Sequence, residues 1–433
     1  MTSFSFPIQD KFQAKRVVEL EFDITPHPEL YVDFNQVRGH QMFDELNFHL
    51  NLAQDRLFNQ TEGFVKILFS GHRGCGKTTE LKRFQGYTND PQRYASILIE
   101  IEKECEVGKF EKEDFFVLLI AKLLERLHTT LPETQFDAPG LQAILCEWLS
   151  ESEVKRELKD HYQIEINTEA GMGWDFFGFL KLGTKFKTLF DHDSTTARTI
   201  REKVKRNPAL LLERLNEFLA EVRQVLAENN KGQDLLFIVD GSEKMPYEIY
   251  KQLFIQEAHL LRSLNANMIL SIPINAYFDI QNHAQSEFFI HYLLPMLQVT
   301  PQSTPFLAEM ITRRLDASRF FEPAVLPYCV SQSGGCPRQL LRIVHRSIII
   351  ALGKTITPEI AHKASQELGQ QMSDTLDTEH WEVLETQTFD TASLKVRDLL
   401  FALVVLKYNG TRSVNPLIQP FLDQRRQRKA LTQ

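Results

Sequence analysis

The stretch Gly71-His72-Arg73-Gly74-Cys75-Gly76-Lys77-Thr78 constrains this chain more than any other, because it fills every fixed position of the pattern G-x-x-x-x-G-K-[ST]. The pattern has a mechanism only where a buried strand enters the loop and a helix leaves it. Both flanks are present. Phe64, Val65, Ile67, Leu68 and Phe69 make a nearly continuous apolar run, as a central parallel strand does when helices cover both of its faces. Thr79 to Phe84 has helix-forming composition, with Leu81 and Phe84 on one side. A phosphate is therefore expected at a helix N-terminus, where unpaired N–H groups and the positive dipole end favour an anion. Gly74 and Gly76 let backbone approach the ligand without a Cβ in the way. The nucleotide-binding set is Gly71, His72, Arg73, Gly74, Cys75, Gly76, Lys77, Thr78 and Thr79. Within it, Lys77 is expected to reach the β- and γ-phosphates and the Thr78 hydroxyl to ligate Mg²⁺.

The rest of the chain must build a domain around that loop. Its 433 residues suffice for two or three domains, and 43% hydrophobic with 24% charged residues is an ordinary globular balance. A formal net charge of −8 means that any nucleic-acid contact must rest on local basic patches. Five cysteines without a C-x-x-C pair fit reduced thiols better than a disulfide framework or a zinc site. The start lacks a charged n-region and a long apolar core, and no apolar run approaches the length of a membrane span, so a cytoplasmic protein is expected.

Further strands follow in order. Residues 95–101 read as a strand and Phe115 to Leu127 as an amphipathic helix, the alternation of a parallel α/β sheet. Asp234-Leu235-Leu236-Phe237-Ile238-Val239-Asp240 is an apolar strand ending in an acid, the Walker B pattern. Ligands gather at the carboxyl ends of parallel strands, so Asp240 should emerge beside the loop and hold Mg²⁺. The next residue is Gly241, and the nearest acid is Glu243, which reads either as the general base or as one half of a surface salt bridge. Residues 267–272 and 293–299 complete five strands. Ser271, near the end of the fourth, is either a γ-phosphate sensor or a satisfied core hydroxyl.

Four stretches carry two readings each. The segment 32–39 either covers the base or packs on the sheet. The glycine- and aromatic-rich run 171–180, inside a hairpin or excursion over 161–193, either presents Trp174, Phe176, Phe177 and Phe179 to a partner, a membrane surface or bases, or folds back on the body. The basic stretch (Lys181, Lys185, Lys187, Arg198, Arg201, Lys203, Lys205, Arg206) and the tail Arg425-Arg426-Gln427-Arg428-Lys429 either contact phosphates or are solvated faces.

After the sheet, Ser333-Gly334-Gly335-Cys336-Pro337-Arg338-Gln339-Leu340-Leu341-Arg342 sets a turn and starts a helix at Pro337. An arginine in the first turn opposes the helix dipole, so an anion should compensate. With these pieces in order, residues 30–370 resemble the AAA+ and STAND group of P-loop ATPases, near the replication-initiator (origin-recognition-like) branch. Val239-Asp240-Gly241-Ser242-Glu243-Lys244 is similar to that branch's Walker B, and 333–342 to its sensor-2 signature. The resemblance implies ATP and Mg²⁺ as ligands, slow ATP hydrolysis, and Lys77, Glu243, Ser271 and Arg338 as catalytic residues, with Arg338 also touching the nucleotide and Thr78 and Asp240 holding the metal. No arginine lies between Ile274 and Val299, where AAA+ rings supply a finger, which favours a STAND-like switch. Arg313 or Arg314 remains as a trans-acting or helix-surface residue.

The expected fold class is α/β, a five-stranded parallel P-loop sheet with a helical lid and a small C-terminal domain of a length that suits a winged helix. The expected division is an N-terminal extension (1–35), an ATPase domain (36–300, with the hairpin and basic segment about 161–206 inserted), a lid (301–372) and a C-terminal domain (373–433). The function implied is an ATP-driven switch read by a protein effector or by self-assembly, including a homo-oligomer, in the manner of bacterial stress or anti-phage systems. The alternatives are a DNA-binding loader or initiator-like ATPase, and an ATP-binding scaffold with little turnover.

Overall fold

A computed structural model describes residues 4–39, 41–53, 56–58, 63–131, 139–149, 151–163, 194–281, 283 and 288–432. The strands β1 (Lys66–Gly71), β2 (Tyr94–Glu100), β3 (Asp234–Asp240), β4 (Asn267–Ser271) and β5 (Ile290–Leu294) form one parallel sheet in the order β2-β3-β4-β1-β5. Every residue of β1 is buried, the polar Lys66 and Ser70 included, and Leu68 registers with Leu270 on one side and His291 on the other. The chain leaves β1 next to β5 but continues into β2 at the far edge. A crevice therefore opens at the carboxyl ends of β1, β4 and β3.

The helices used below are α1 (Lys11–Val17), α2 (Lys77–Thr88), α3 (Lys112–Thr130), α4 (Thr195–Arg206), α5 (Ile274–Gln281), α6 (Thr304–Thr312), α7 (Pro337–Ile350), α8 (Pro358–Ser373), α9 (Thr378–Thr386), α10 (Leu394–Phe401) and α11 (Gln419–Thr432). Helix α7 packs on α8 to make the lid, and α1 packs on α7. The N-terminal segment is further tied to the lid through Ile8, whose N–H donates to the Arg314 carbonyl at 2.8 Å and whose carbonyl accepts from Asp316 at 3.0 Å. The last elements are α9, α10, a hairpin of β6 (Val405–Lys407) and β7 (Arg412–Val414), and α11.

The fifth strand differs from its expected place. It spans Ile290–Leu294 rather than 293–299, because Pro295 has no N–H to give a neighbour and the Met296 N–H is spent on the Lys407 carbonyl at 3.1 Å. The run 171–180 and the lysines at 181, 185 and 187 lie outside the described residues. Residues 195–206 are helical, with the Ser194 hydroxyl accepting from the Ala197 N–H as an N-cap.

The described part of the basic stretch is a packing surface. Arg201 forms a two-pronged pair with Asp114 at 2.7 Å per bond, both residues buried, while the same carboxylate caps α3 through the Glu111 N–H. Lys205 reaches Glu111 at 2.7 Å, Lys203 reaches Glu151 at 3.2 Å and Arg206 reaches Glu202 at 3.3 Å. In the tail, Arg425 and Lys429 both hold the Glu385 carboxylate and Arg426 donates to its carbonyl. Among the described residues no helix is long and apolar enough to cross a membrane.

Candidate functional site

Strand β1 hands the chain to the glycine loop, and α2 begins at Lys77 behind Gly76, whose φ of 104° lies where side chains are strained. No side chain caps this helix start, so the N–H groups of its first turn face the crevice. The Lys77 ammonium is buried over the loop, donating to the Gly71 carbonyl at 3.1 Å and the His72 carbonyl at 3.2 Å. Gly74 is required by close approach: a Cβ there would stand 2.2 Å from the Arg338 Cβ. The lid arginine thus rests directly on the loop, and its N–H donates to the Gly74 carbonyl at 3.3 Å.

The carboxyl ends of β3 and β4 supply the acids. Asp240 is buried and takes a hydrogen bond from the Thr78 hydroxyl, yet its Oδ1 has no partner among the described residues. Burial first, then the Glu243 charge, pushes its carboxyl above the usual range. An orphaned buried carboxylate oxygen beside a hydroxyl, over a glycine cradle, is what a hard divalent cation with oxygen ligands fits. Gly241, at φ 79°, turns the chain so that Glu243 faces the same cleft. The Ser271 hydroxyl donates to Glu243 Oε2 at 3.3 Å. The neighbouring Ser242 hydroxyl donates to the Ser271 carbonyl, and the Tyr250 hydroxyl to the Ser242 carbonyl.

These groups line one cleft of about 710 Å³, within the usual range for a small-molecule site. Arg73, Gly74, Gly76, Lys77, Thr78 and Thr79 form its floor, Asp240 and Glu243 one side, and Arg338 the lid side. Its far end is apolar, walled by Val32, Phe34, Met310 and Leu341. The segment 32–39 therefore does reach the cleft. It is locked to α2 by Tyr31, whose hydroxyl donates to Glu80 at 3.2 Å and accepts from Arg83, with that guanidinium 3.9 Å over its ring.

The expected residues separate into two groups. Lys77, Thr78, Thr79, Asp240, Glu243, Arg338 and the loop backbone converge on the cleft. Ser271 does not line it and reaches it only through Glu243. The His72 ring turns away from the cleft, and the Cys75 thiol is buried under the loop, so both offer backbone alone. Arg313 pairs with Glu309 and holds the carbonyls of Glu29 and Tyr31, a structural role.

Two arginines not assigned to the nucleotide from the sequence line the same cleft. Arg38 is buried, donates to the Cys75 carbonyl, and leaves Nε and Nη1 without partners among the described residues. Arg314 is 5% exposed, not on a helix surface; one nitrogen donates to the Met310 carbonyl and Nε has no partner among the described residues. Burial pulls its guanidinium down to about 10. Arg338 also titrates below its ordinary value, through burial and then through Arg73, so the anion expected to offset it is not supplied by a paired carboxylate of the lid.

No family model matches this sequence, and no curated protein matches it. Several solved structures are similar to this chain along most of its length. A Walker-type ATPase of Pyrococcus abyssi is 13% identical with a TM-score of 0.46, covering 94% of this chain and 99% of its own. Cdc6p of Pyrobaculum aerophilum is 13% identical, TM-score 0.39, covering 95% and 98%. The Orc1 protein of Aeropyrum pernix, solved in complex with DNA, is 12% identical, TM-score 0.39, covering 95% and 96%.

Proposed function

We propose that this chain is an ATP-binding and slowly hydrolysing molecular switch of the AAA+/STAND type, in which lid angle follows the state of the nucleotide. One observation carries the reading: loop, Walker B acid and lid arginine, 77, 240 and 338 in sequence, line a single cleft, and the acid's Oδ1 is orphaned. Lys77 exchanges the carbonyls of Gly71 and His72 for the β- and γ-phosphates. The Thr78 hydroxyl and Asp240 would hold Mg²⁺, which when bound would neutralise charge on the phosphate oxygens. Glu243, oriented by Ser271, takes a proton from the attacking water. Arg338 meets the terminal phosphate from the lid side, so phosphate loss removes the anion that draws α7 onto the loop. Arg38 and Arg314 supply further donors to the nucleotide.

A protein effector is favoured over duplex DNA as the reader of this switch, because Arg201, Lys203, Lys205, Arg425 and Lys429 are spent on the chain's own acids. By resemblance that effector belongs to a cytoplasmic stress or anti-phage system. The test is Mg-ATP binding and phosphate release by the wild type beside Glu243→Gln, with sizing of the protein with and without nucleotide and added DNA. A wild type that ignores adenine nucleotides, or equal release rates in the two proteins, overturns the reading.

A further inference from the structure

We propose that His72 is a positioning residue that couples the phosphate loop to docking of the C-terminal hairpin, so that nucleotide in the cleft changes how firmly β6 is held. The inference rests on the nucleotide-site reading above and names the element that responds.

His72 sits in the second position of the loop, yet its ring serves the opposite end of the chain. Nδ1 lies 3.0 Å from the Leu400 carbonyl at the end of α10, and Nε2 lies 2.7 Å from the Lys407 N–H in β6. A carbonyl only accepts and an amide N–H only donates, so the ring must be neutral with its proton on Nδ1. The residue is 1% exposed, and burial pulls the imidazole down to about 3, so this tautomer persists across the physiological range.

The main-chain carbonyl of the same residue accepts from Lys77, which lines the cleft. The two ends of His72 therefore meet different masters. A triphosphate in the cleft competes for the Lys77 ammonium, and any shift of the His72 backbone moves a ring fixed by two directional bonds. Strand β6 is bound to the rest of the site as well. The Lys407 carbonyl accepts from Met296 at the exit of β5 at 3.1 Å. The Tyr408 hydroxyl donates at 2.9 Å to the Gly334 carbonyl, in the turn that launches α7 and Arg338. That turn has no room to spare: a Cβ on Gly334 would stand 2.4 Å from Leu406 Cδ1. The hairpin thus touches the phosphate loop, the sheet edge and the lid turn together, and only the loop contact runs through a side chain of the nucleotide motif.

The test is hydrogen exchange of amides 404–415 in the full chain, alone, with Mg-ADP and with a non-hydrolysable Mg-ATP analogue, alongside bound nucleotide measured on the same samples. The expected result is an exchange rate for the Lys407 region that changes by about fivefold or more on binding, the lower end of usual coupling strengths. In His72→Ala that nucleotide-dependent change disappears. Tyr408→Phe, which removes one hydroxyl outside the phosphate loop, keeps that change and serves where the alanine variant fails to fold. Bound nucleotide with unchanged exchange in the wild type, an undiminished response in a folded His72→Ala, or loss of the response in a nucleotide-bound Tyr408→Phe, overturns the coupling alone. Absence of any bound nucleotide in the wild type overturns it together with the ATPase reading.

Discussion

The glycine-loop cleft and the basic face of α4 are both rich in cations, and they are built in opposite ways. On α4, Arg201, Lys203, Lys205 and Arg206 each find a carboxylate from a neighbouring turn or helix. At the cleft, Arg338 has Arg73 and Arg342 as close charged neighbours, with Glu21 contributing less, and it is held below its ordinary pKa. Positive charge that the chain neutralises itself is architecture, whereas positive charge concentrated without neutralisation over a glycine cradle favours an anion. Counting lysines and arginines cannot separate the two cases.

Substitutions on either side of this contrast should behave differently. Glu243→Gln is expected to lower turnover by about 10²- to 10⁴-fold while nucleotide stays bound, as loss of a general base does; single-turnover phosphate release checks this. Arg201→Ala should cost about 3–5 kcal/mol of stability, because it strands the buried Asp114, and leave nucleotide affinity untouched; chemical denaturation beside a binding titration reads both.

Acid should act through His72. Its folded value, about 3, lies below the ordinary 6.5, so the unfolded state binds the extra proton between those limits and stability falls as pH drops through that window. The loss should reach about 2 kcal/mol by pH 5, and His72→Gln should flatten that part of a denaturation-versus-pH curve. Next in size, Arg338→Ala should weaken triphosphate binding by about 10- to 100-fold and diphosphate binding less, the worth of a charged hydrogen bond, measured by calorimetry. Arg206→Ala, at an exposed pair, should change stability by less than about 1 kcal/mol; a larger loss, or a weakened salt-dependent DNA affinity, would erase the distinction between the two cationic regions.

Much of the fold was legible in order of motif. The strands around Leu68, Ile97, Ile238 and Ile269 announce themselves as apolar runs, and they lie where those runs lie. The fifth was misplaced because residues 293–299 are apolar for a different reason: Leu294, Met296 and Leu297 are buried at the sheet exit, while only the residues up to 294 carry ladder bonds. Hydrophobicity reports burial, and a proline decides where pairing stops. The site was less legible. Ser271 reads either as a phosphate sensor or as a satisfied core hydroxyl; it is buried and its hydroxyl reaches Glu243, a contact that no spacing records. Arg314 looked like a helix-surface residue and is buried, because the N-terminal strand-like segment at Ile8 covers that end of α6.

The sequence by itself determined the glycine loop, the strand-borne acid and the lid turn, since each is a local backbone geometry that only certain residues at fixed spacing adopt. Tertiary structure alone decided what those segments meet. His72 finds its acceptor 328 residues away in Leu400, Arg38 finds the Cys75 carbonyl, and Gly335 lies so close to the Leu297 carbonyl that a Cβ would fall 1.7 Å from it. Contacts across such separations depend on how whole elements stack, and stacking leaves no periodic trace in the residues that happen to touch.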